Sequence, residues 1–117
     1  MLTIRCQKGF VLFAGQRTIG VGIDLIEHRV HLRDAALAVL ADRGDETRLI
    51  DLYADKFDPV MSCDERSTYN DGPPADPALR PYIESLNWAE GILFIYPTWW
   101  YGLPAMLKGW LDRVWAC

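Results

Sequence analysis

The chain has 117 residues, half of them hydrophobic, and a formal net charge of −4. This length corresponds to one small domain, and the lack of a basic stripe argues against binding of nucleic acid. The three cysteines, Cys6, Cys63 and Cys117, are odd in number and far apart, so they predict neither a disulfide framework nor a zinc site. Free thiols favour a reducing, cytoplasmic location.

No membrane span and no metal site are predicted. The apolar patch at Phe10–Ala14 is too short to cross a bilayer or to form a signal peptide. His28 and His31 have a spacing that could bind a metal, but no third ligand accompanies them.

The first part of the chain predicts one strand and one long helix. Phe10–Ala14 is typical of a short strand, whereas Gly20–Gly22 is better interpreted as a flexible turn than as a dinucleotide-binding fingerprint. Residues 24–43 have helical periodicity, and Gly44 stands where a C-terminal cap belongs. The apolar residues predicted to face inward from this helix are Leu32, Ala35, Ala36, Val39 and Leu40.

Two further strands are predicted in the remainder. Thr47–Leu52 forms one, and the continuous apolar run Gly91–Tyr96 suits a strand covered on both faces. Short helices are predicted around 64–69 and over Pro77–Trp88, the latter with Leu79, Ile83 and Leu86 facing inward. Alternating strands and helices indicate an α/β fold with a parallel sheet, here with three candidate strands.

An aromatic loop follows the last strand. Pro97 should end strand pairing, Gly102 should permit a tight turn, and Pro104 suits the first position of a helix. Ligands of open α/β sheets bind beyond such strand ends, and a flat heterocycle could stack on the loop. The alternative is that its aromatic side chains fill a core or a dimer interface.

The helix after this loop has a wide apolar face. Gly109 should allow a close approach of another segment, and Lys108 should be solvated. The face comprises Leu103, Met106, Leu107, Trp110, Leu111, Val114 and Trp115.

Two motifs in this order resemble a known family. The first motif is Asp51-Leu52-Tyr53-Ala54 with Phe57-Asp58-Pro59. The second motif is Tyr96-Pro97-Thr98-Trp99-Trp100-Tyr101-Gly102-Leu103-Pro104-Ala105-Met106-Leu107-Lys108-Gly109-Trp110. Together they are similar to the NAD(P)H:quinone oxidoreductases, which include the modulator of drug activity B group. The resemblance covers about residues 31–115 and leaves 1–30 unmatched. It implies a flavodoxin-like three-layer α/β/α fold, truncated here to about three strands, in a single incomplete domain over residues 1–117.

The resemblance also implies a chemistry. The family holds FAD or FMN, accepts hydride from NAD(P)H and passes it to a quinone-type acceptor, often as a homodimer. It implies no catalytic side chain in this segment, and it implies that backbone N–H groups face the polar edge of the flavin ring. The residues that would border the ring are Pro97, Thr98, Trp99, Trp100, Tyr101 and Gly102.

The sequence departs from the family in two places. The family's phosphate-binding loop has no counterpart before the long helix, where Asp24 and Glu27 would repel a phosphate. The later strands of a five-stranded sheet are also absent. We therefore expect weak flavin binding at most, and two alternatives remain: a truncated, inactive remnant, or a non-enzymatic, Trp-rich interaction module.

Overall fold

A computed structural model describes residues 11–12, 16–22, 27–72, 74, 76–98 and 100–115, and gives only the backbone for 11–12 and 27–31. These residues form four strands and four α-helices, with a short 3₁₀ turn, Pro77–Leu79, before the third helix. In chain order the elements are β1 (Val11–Leu12), β2 (Arg17–Gly22), α1 (Glu27–Asp42), β3 (Glu46–Asp51), α2 (Cys63–Ser67), α3 (Arg80–Trp88), β4 (Gly91–Ile95) and α4 (Ala105–Val114).

One sheet contains all four described strands in the order β1-β4-β2-β3. The central strand, β2, is parallel to both β3 and β4, whereas β1 runs antiparallel to β4. The parallel order β3-β2-β4 equals the first three positions, 2-1-3, of the flavodoxin-like strand order. The predicted α/β fold with three parallel strands is therefore confirmed.

The prediction for the glycine pair was wrong. Gly20 and Gly22 lie in the central strand β2, where Ile19 and Val21 have no exposed surface. Strands on both sides supply the hydrogen bonds and the burial that outweigh the low strand propensity of glycine. Val11 and Leu12, within the predicted strand Phe10–Ala14, do form a strand antiparallel to β4, and the other residues of that range lie outside the described residues.

The larger core lies on the face of the sheet that α3 and α4 cover. The predicted inward residue Leu79 is buried, and Ile83 and Leu86 pack against the same cluster. The buried members are Ile19, Val21, Ile50, Leu52, Phe57, Leu79, Leu107, Trp110 and Val114.

Helix α1 lies on the opposite face, which gives the fold its three layers. Leu40 packs with Leu93 and Ile95 of β4, and Ala36 contacts this cluster. Ala35 is exposed, and Leu32 and Val39 keep 52% and 57% of their surface accessible, so their predicted inward orientation was wrong. Two apolar stripes run along the helix, and only the stripe containing Leu40 meets the sheet.

Candidate functional site

The three parallel strands end in line at one edge of the sheet. Gly22 at the end of β2 pairs with Asp51 at the end of β3 and with Ile95 at the end of β4. The loops that follow therefore converge, as expected for the ligand-binding edge of an open α/β sheet. Residues 23–26, where a phosphate loop would stand, lie outside the described residues.

The loop after β4 presents its aromatic side chains to solvent. Pro97 is buried and Thr98 is exposed, while Trp100 and Tyr101 have relative exposures of 98% and 102%. These two aromatic side chains do not fill the core. Trp99, which the sequence also assigned to the site, lies outside the described residues.

The same two residues have an uncommon backbone. Trp100 has φ 46° and Tyr101 has φ 61°, a left-handed pair that residues other than glycine rarely adopt. Each such residue costs on the order of 1–3 kcal/mol and persists only where the surrounding structure holds it. The turn therefore takes its left-handed backbone at Trp100 and Tyr101, whereas we expected it at Gly102, which is not among the described residues with positive φ.

Helix α4 fixes the far end of this loop. Pro104 is the N-cap residue, one position earlier than predicted, and its carbonyl accepts the N–H of Lys108 at 3.0 Å. Leu107 and Trp110 anchor the helix in the core. Gly109 lies so close to Pro59 that a Cβ at this position would overlap the proline backbone, which confirms the predicted close approach.

The loop after β3 is held by its own polar groups. Asp51 Oδ1 accepts the N–H groups of Tyr53 and Ala54, both at 3.1 Å, and so stabilises the turn. The Tyr82 hydroxyl donates to Asp55 Oδ2 at 3.3 Å. Burial, together with the charge and hydrogen bond of Asp55, raises the pKa of Tyr82 above its ordinary value.

The sequence did not reveal a buried arginine on α4. Arg113 is 6% exposed, and its guanidinium donates to Glu65 Oε1 at 2.9 Å, to Asp76 Oδ2 at 2.8 Å and to the carbonyl of Asp58. We call these four residues the Arg113 cluster. Arg113 follows Trp110 at helical spacing, but its partners lie 37 to 55 residues away in sequence, so no local pattern could identify them.

Glu65 belongs both to this cluster and to the start of α2. Its side chain accepts the Ser62 N–H at 2.9 Å, and Ser62 Oγ accepts the Glu65 N–H at 3.1 Å, which completes a capping box. Burial acts to raise the pKa of Glu65, but the hydrogen bonds from Arg113 and Ser62 and the Arg113 charge outweigh it and lower the pKa.

The described residues were also searched for metal-binding clusters and for helices that could span a membrane. In the part of the chain that the structure describes, no three potential metal ligands come together. None of the described helices combines the length and the apolar character needed to cross a membrane.

Known proteins match both the sequence and the structure. The Flavodoxin_2 family model, described as a flavodoxin-like fold, matches residues 25–116. The chain is 35% identical over 86 residues to the uncharacterized NAD(P)H oxidoreductase YcaK of Escherichia coli, covering 73% of this chain and 44% of that protein. It is also 35% identical over 100 residues to NAD(P)H dehydrogenase (quinone) 1 of Cavia porcellus, covering 71% of this chain and 36% of that protein.

A solved structure agrees with these relatives. The NAD(P)H:quinone oxidoreductase from Methanothermobacter marburgensis has a TM-score of 0.78 and 28% identity, with 87% of this chain and 54% of that chain covered. The chain thus spans about half, or less, of the proteins it matches. Because the family model covers most of its residues, the chain belongs to the Flavodoxin_2 family of flavodoxin-like proteins.

Proposed function

We propose that this chain forms the flavin-ring half of an NAD(P)H:quinone oxidoreductase. Its cofactor would be FAD or FMN, its electron donor NAD(P)H and its acceptor a small quinone. The observation that carries the proposal is the pair of solvent-exposed, left-handed aromatic residues, Trp100 and Tyr101, at the carboxyl end of β4. The similarity to proteins named as quinone oxidoreductases supports it.

The loop fits the flat part of a flavin. Aromatic faces at Trp100 and Tyr101 can stack on or border a ring, and the resemblance extends this role to Trp99. Among the described residues, no backbone carbonyl accepts the N–H of Trp100 or Tyr101. These two N–H groups would bind the polar edge of the ring and favour negative charge on it, while Pro97 and Gly102 would border the ring through their backbone and Thr98 through its exposed side chain.

The bound flavin would supply the hydride-transfer chemistry. The residues of this chain would therefore orient the ring and exclude water from one face rather than act as acid or base.

The neighbouring loop fits a phosphate poorly. Between residues 51 and 56 it carries the carboxylates of Asp51 and Asp55 but only one cation, Lys56. Negative groups at this edge repel a flavin phosphate. We therefore predict that the chain alone binds FMN and FAD weakly, through the ring, and that the two differ little in affinity.

Flavin titration tests the proposal. Saturable quenching of FMN fluorescence by the purified chain is expected, and Trp100→Ala and Tyr101→Ala should each weaken binding about tenfold, a loss equal to about 1.4 kcal/mol. Trp115→Ala is the matched control, because Trp115 is also an exposed aromatic residue but follows the opposite end of α4. The ring site is wrong if all three variants lose affinity equally, or if none does.

Flavin titration combined with urea unfolding distinguishes the two alternatives, an interaction module and an inactive remnant. A chain that unfolds cooperatively in urea but binds neither flavin would favour a Trp-rich interaction module, for which Leu103, 38% exposed beside the aromatic pair, offers additional apolar surface. A chain with no cooperative transition would be an inactive remnant. A homodimer and a cytoplasmic location complete our proposal, and sedimentation with and without FMN tests the dimer.

A further inference from the structure

The long connection between β3 and α3 is anchored in the core at its two ends. Phe57 and Leu79 are buried members of the larger core cluster, whereas none of the described residues between them is buried. Val60, for example, keeps 69% of its surface exposed. Apolar burial therefore fixes the ends of this connection but not its middle. We call residues 58–72, all of which the structure describes, the strap.

The backbone of the strap forms its hydrogen bonds within itself. The capping box joins Ser62 to Glu65, and the Thr68 N–H donates to the carbonyl of Asp64 at 3.2 Å. Among the described residues, no backbone–backbone hydrogen bond joins the strap to the sheet or to α4. The strap could therefore leave the body of the domain without breaking the ladder of any strand.

Two residues on one face of α4 hold the strap in place. Gly109 lies against Pro59 so closely that a Cβ on the glycine would overlap the proline backbone. Arg113 follows four residues later on the same face. Its Nε donates to Glu65 Oε1 at 2.9 Å, and its Nη1 donates to the carbonyl of Asp58.

Arg113 also has one partner outside the strap. Its Nη2 donates to Asp76 Oδ2 at 2.8 Å. Departure of the strap would therefore not leave an unpaired buried charge, because Asp76 stays beside the guanidinium and water can reach the other two nitrogens. Opening costs a few hydrogen bonds, each of modest net free energy, rather than the burial of a charge.

We propose that the strap detaches from α4 while the sheet stays folded, and that Arg113 and Gly109 hold it closed. Local opening is expected where a segment has few buried apolar contacts. The open form exposes the Arg113 guanidinium, which the closed strap covers. The fold thus presents a cation on α4 in one state and hides it in the other. This proposal does not depend on flavin binding.

Trypsin cleavage of the full chain measures the two kinds of opening separately. Cleavage after Arg66 requires the strap to open, because a protease binds several residues of extended chain. Cleavage after Arg17 requires the sheet to open, because Thr18 is fully buried in the central strand β2. Each rate, divided by that of an unstructured peptide with the same local sequence, follows the population of the open form, and we expect Arg66 to be cut at least about tenfold faster.

A core variant on the other face of the sheet separates strap opening from global unfolding. Ile95→Val weakens the cluster that Ile95 forms with Leu40 and Leu93. It should speed cleavage after Arg17 about fivefold and leave cleavage after Arg66 unchanged, because this cluster is intact whether the strap is closed or open. Equal acceleration at the two sites would overturn the proposal, since the strap would then open only when the whole chain unfolds.

Variants of α4 test the two residues that hold the strap. Gly109→Ala forces a methyl group against Pro59 and should speed cleavage after Arg66 about tenfold. Arg113→Met removes the hydrogen bonds to the strap and should speed the same cleavage about a hundredfold. Lys108→Met, which changes an exposed residue of the same helix, should leave it unchanged. An unchanged rate in either Gly109→Ala or Arg113→Met would show that this residue does not hold the strap closed.

Discussion

The two ends of α4 are held in opposite ways. At its C-terminal half, Arg113 joins three segments that are distant in sequence through hydrogen bonds of 2.8–2.9 Å to Glu65 and Asp76 and a further bond to Asp58. At its N-terminal end, Trp100 and Tyr101 are fully exposed and strained, and contribute little to packing. The Arg113 cluster thus stabilises the folded chain, whereas the exposed aromatic side chains of the loop do not. This contrast indicates that the loop is the better candidate for a ligand-binding site.

Removing the guanidinium should have the largest effect. Arg113→Met leaves the largely buried Glu65 carboxylate without its partner, and breaking such a pair costs about 3–5 kcal/mol. Urea unfolding at pH 7 measures this loss. Lys108→Met is the control on the same helix: its exposed ion pair with Asp112 should contribute less than about 1 kcal/mol. Equal losses in the two variants would contradict the central role of Arg113.

The pH dependence of Glu65 should give a smaller and more specific effect. Its pKa in the folded chain lies below the ordinary value of 4.5, so folding favours the ionised carboxylate. The resulting stabilisation is complete above the unfolded pKa and disappears as the pH falls through the folded pKa. Glu65→Gln should therefore cost about 1–3 kcal/mol at pH 7 and progressively less towards pH 3.

A matched variant isolates this titration. Asp64→Asn removes an exposed carboxylate from the same short helix without touching the contact with Arg113. The difference in unfolding free energy between this variant and the native chain should depend on pH far less than the Glu65→Gln difference does. A Glu65→Gln cost that stays constant from pH 7 to pH 3 would show that the charge of Glu65 is not what stabilises the Arg113 cluster.

The contrast between the two ends of α4 also explains what the sequence could predict. The β3 and β4 strands were predicted to within one residue because Leu49 and Ile50 in β3 and the continuous apolar run of β4 are local signals. The strand β2 was missed because Gly20 and Gly22 have low strand propensity, and only pairing on both sides makes them a central strand. Arg113 was missed for a related reason: its partners are brought to it by the fold.

The candidate site was partly predictable in the same sense. Its position at the end of β4 followed from the strand and the helix around it, and the resemblance suggested its ligand. The left-handed backbone at Trp100 and Tyr101 could not be predicted, because large aromatic residues disfavour a positive φ. Glycine tolerates a positive φ, so the sequence pointed to Gly102 instead. Exposed residues that adopt a backbone conformation against their own preference are typical of functional sites.

The last prediction concerns the stability of this loop, where we expect a small increase rather than a loss. Replacing both Trp100 and Tyr101 by glycine removes the left-handed strain, which should exceed the entropy that glycine adds to the unfolded chain. Because both side chains are fully exposed, little packing is lost, and the free energy of unfolding should rise by about 1 kcal/mol. FMN binding should nevertheless fall at least as far as in the single alanine variants, which keep the backbone strain. A double variant that loses stability would show that the aromatic pair supports the fold, and the contrast with the Arg113 cluster would then fail.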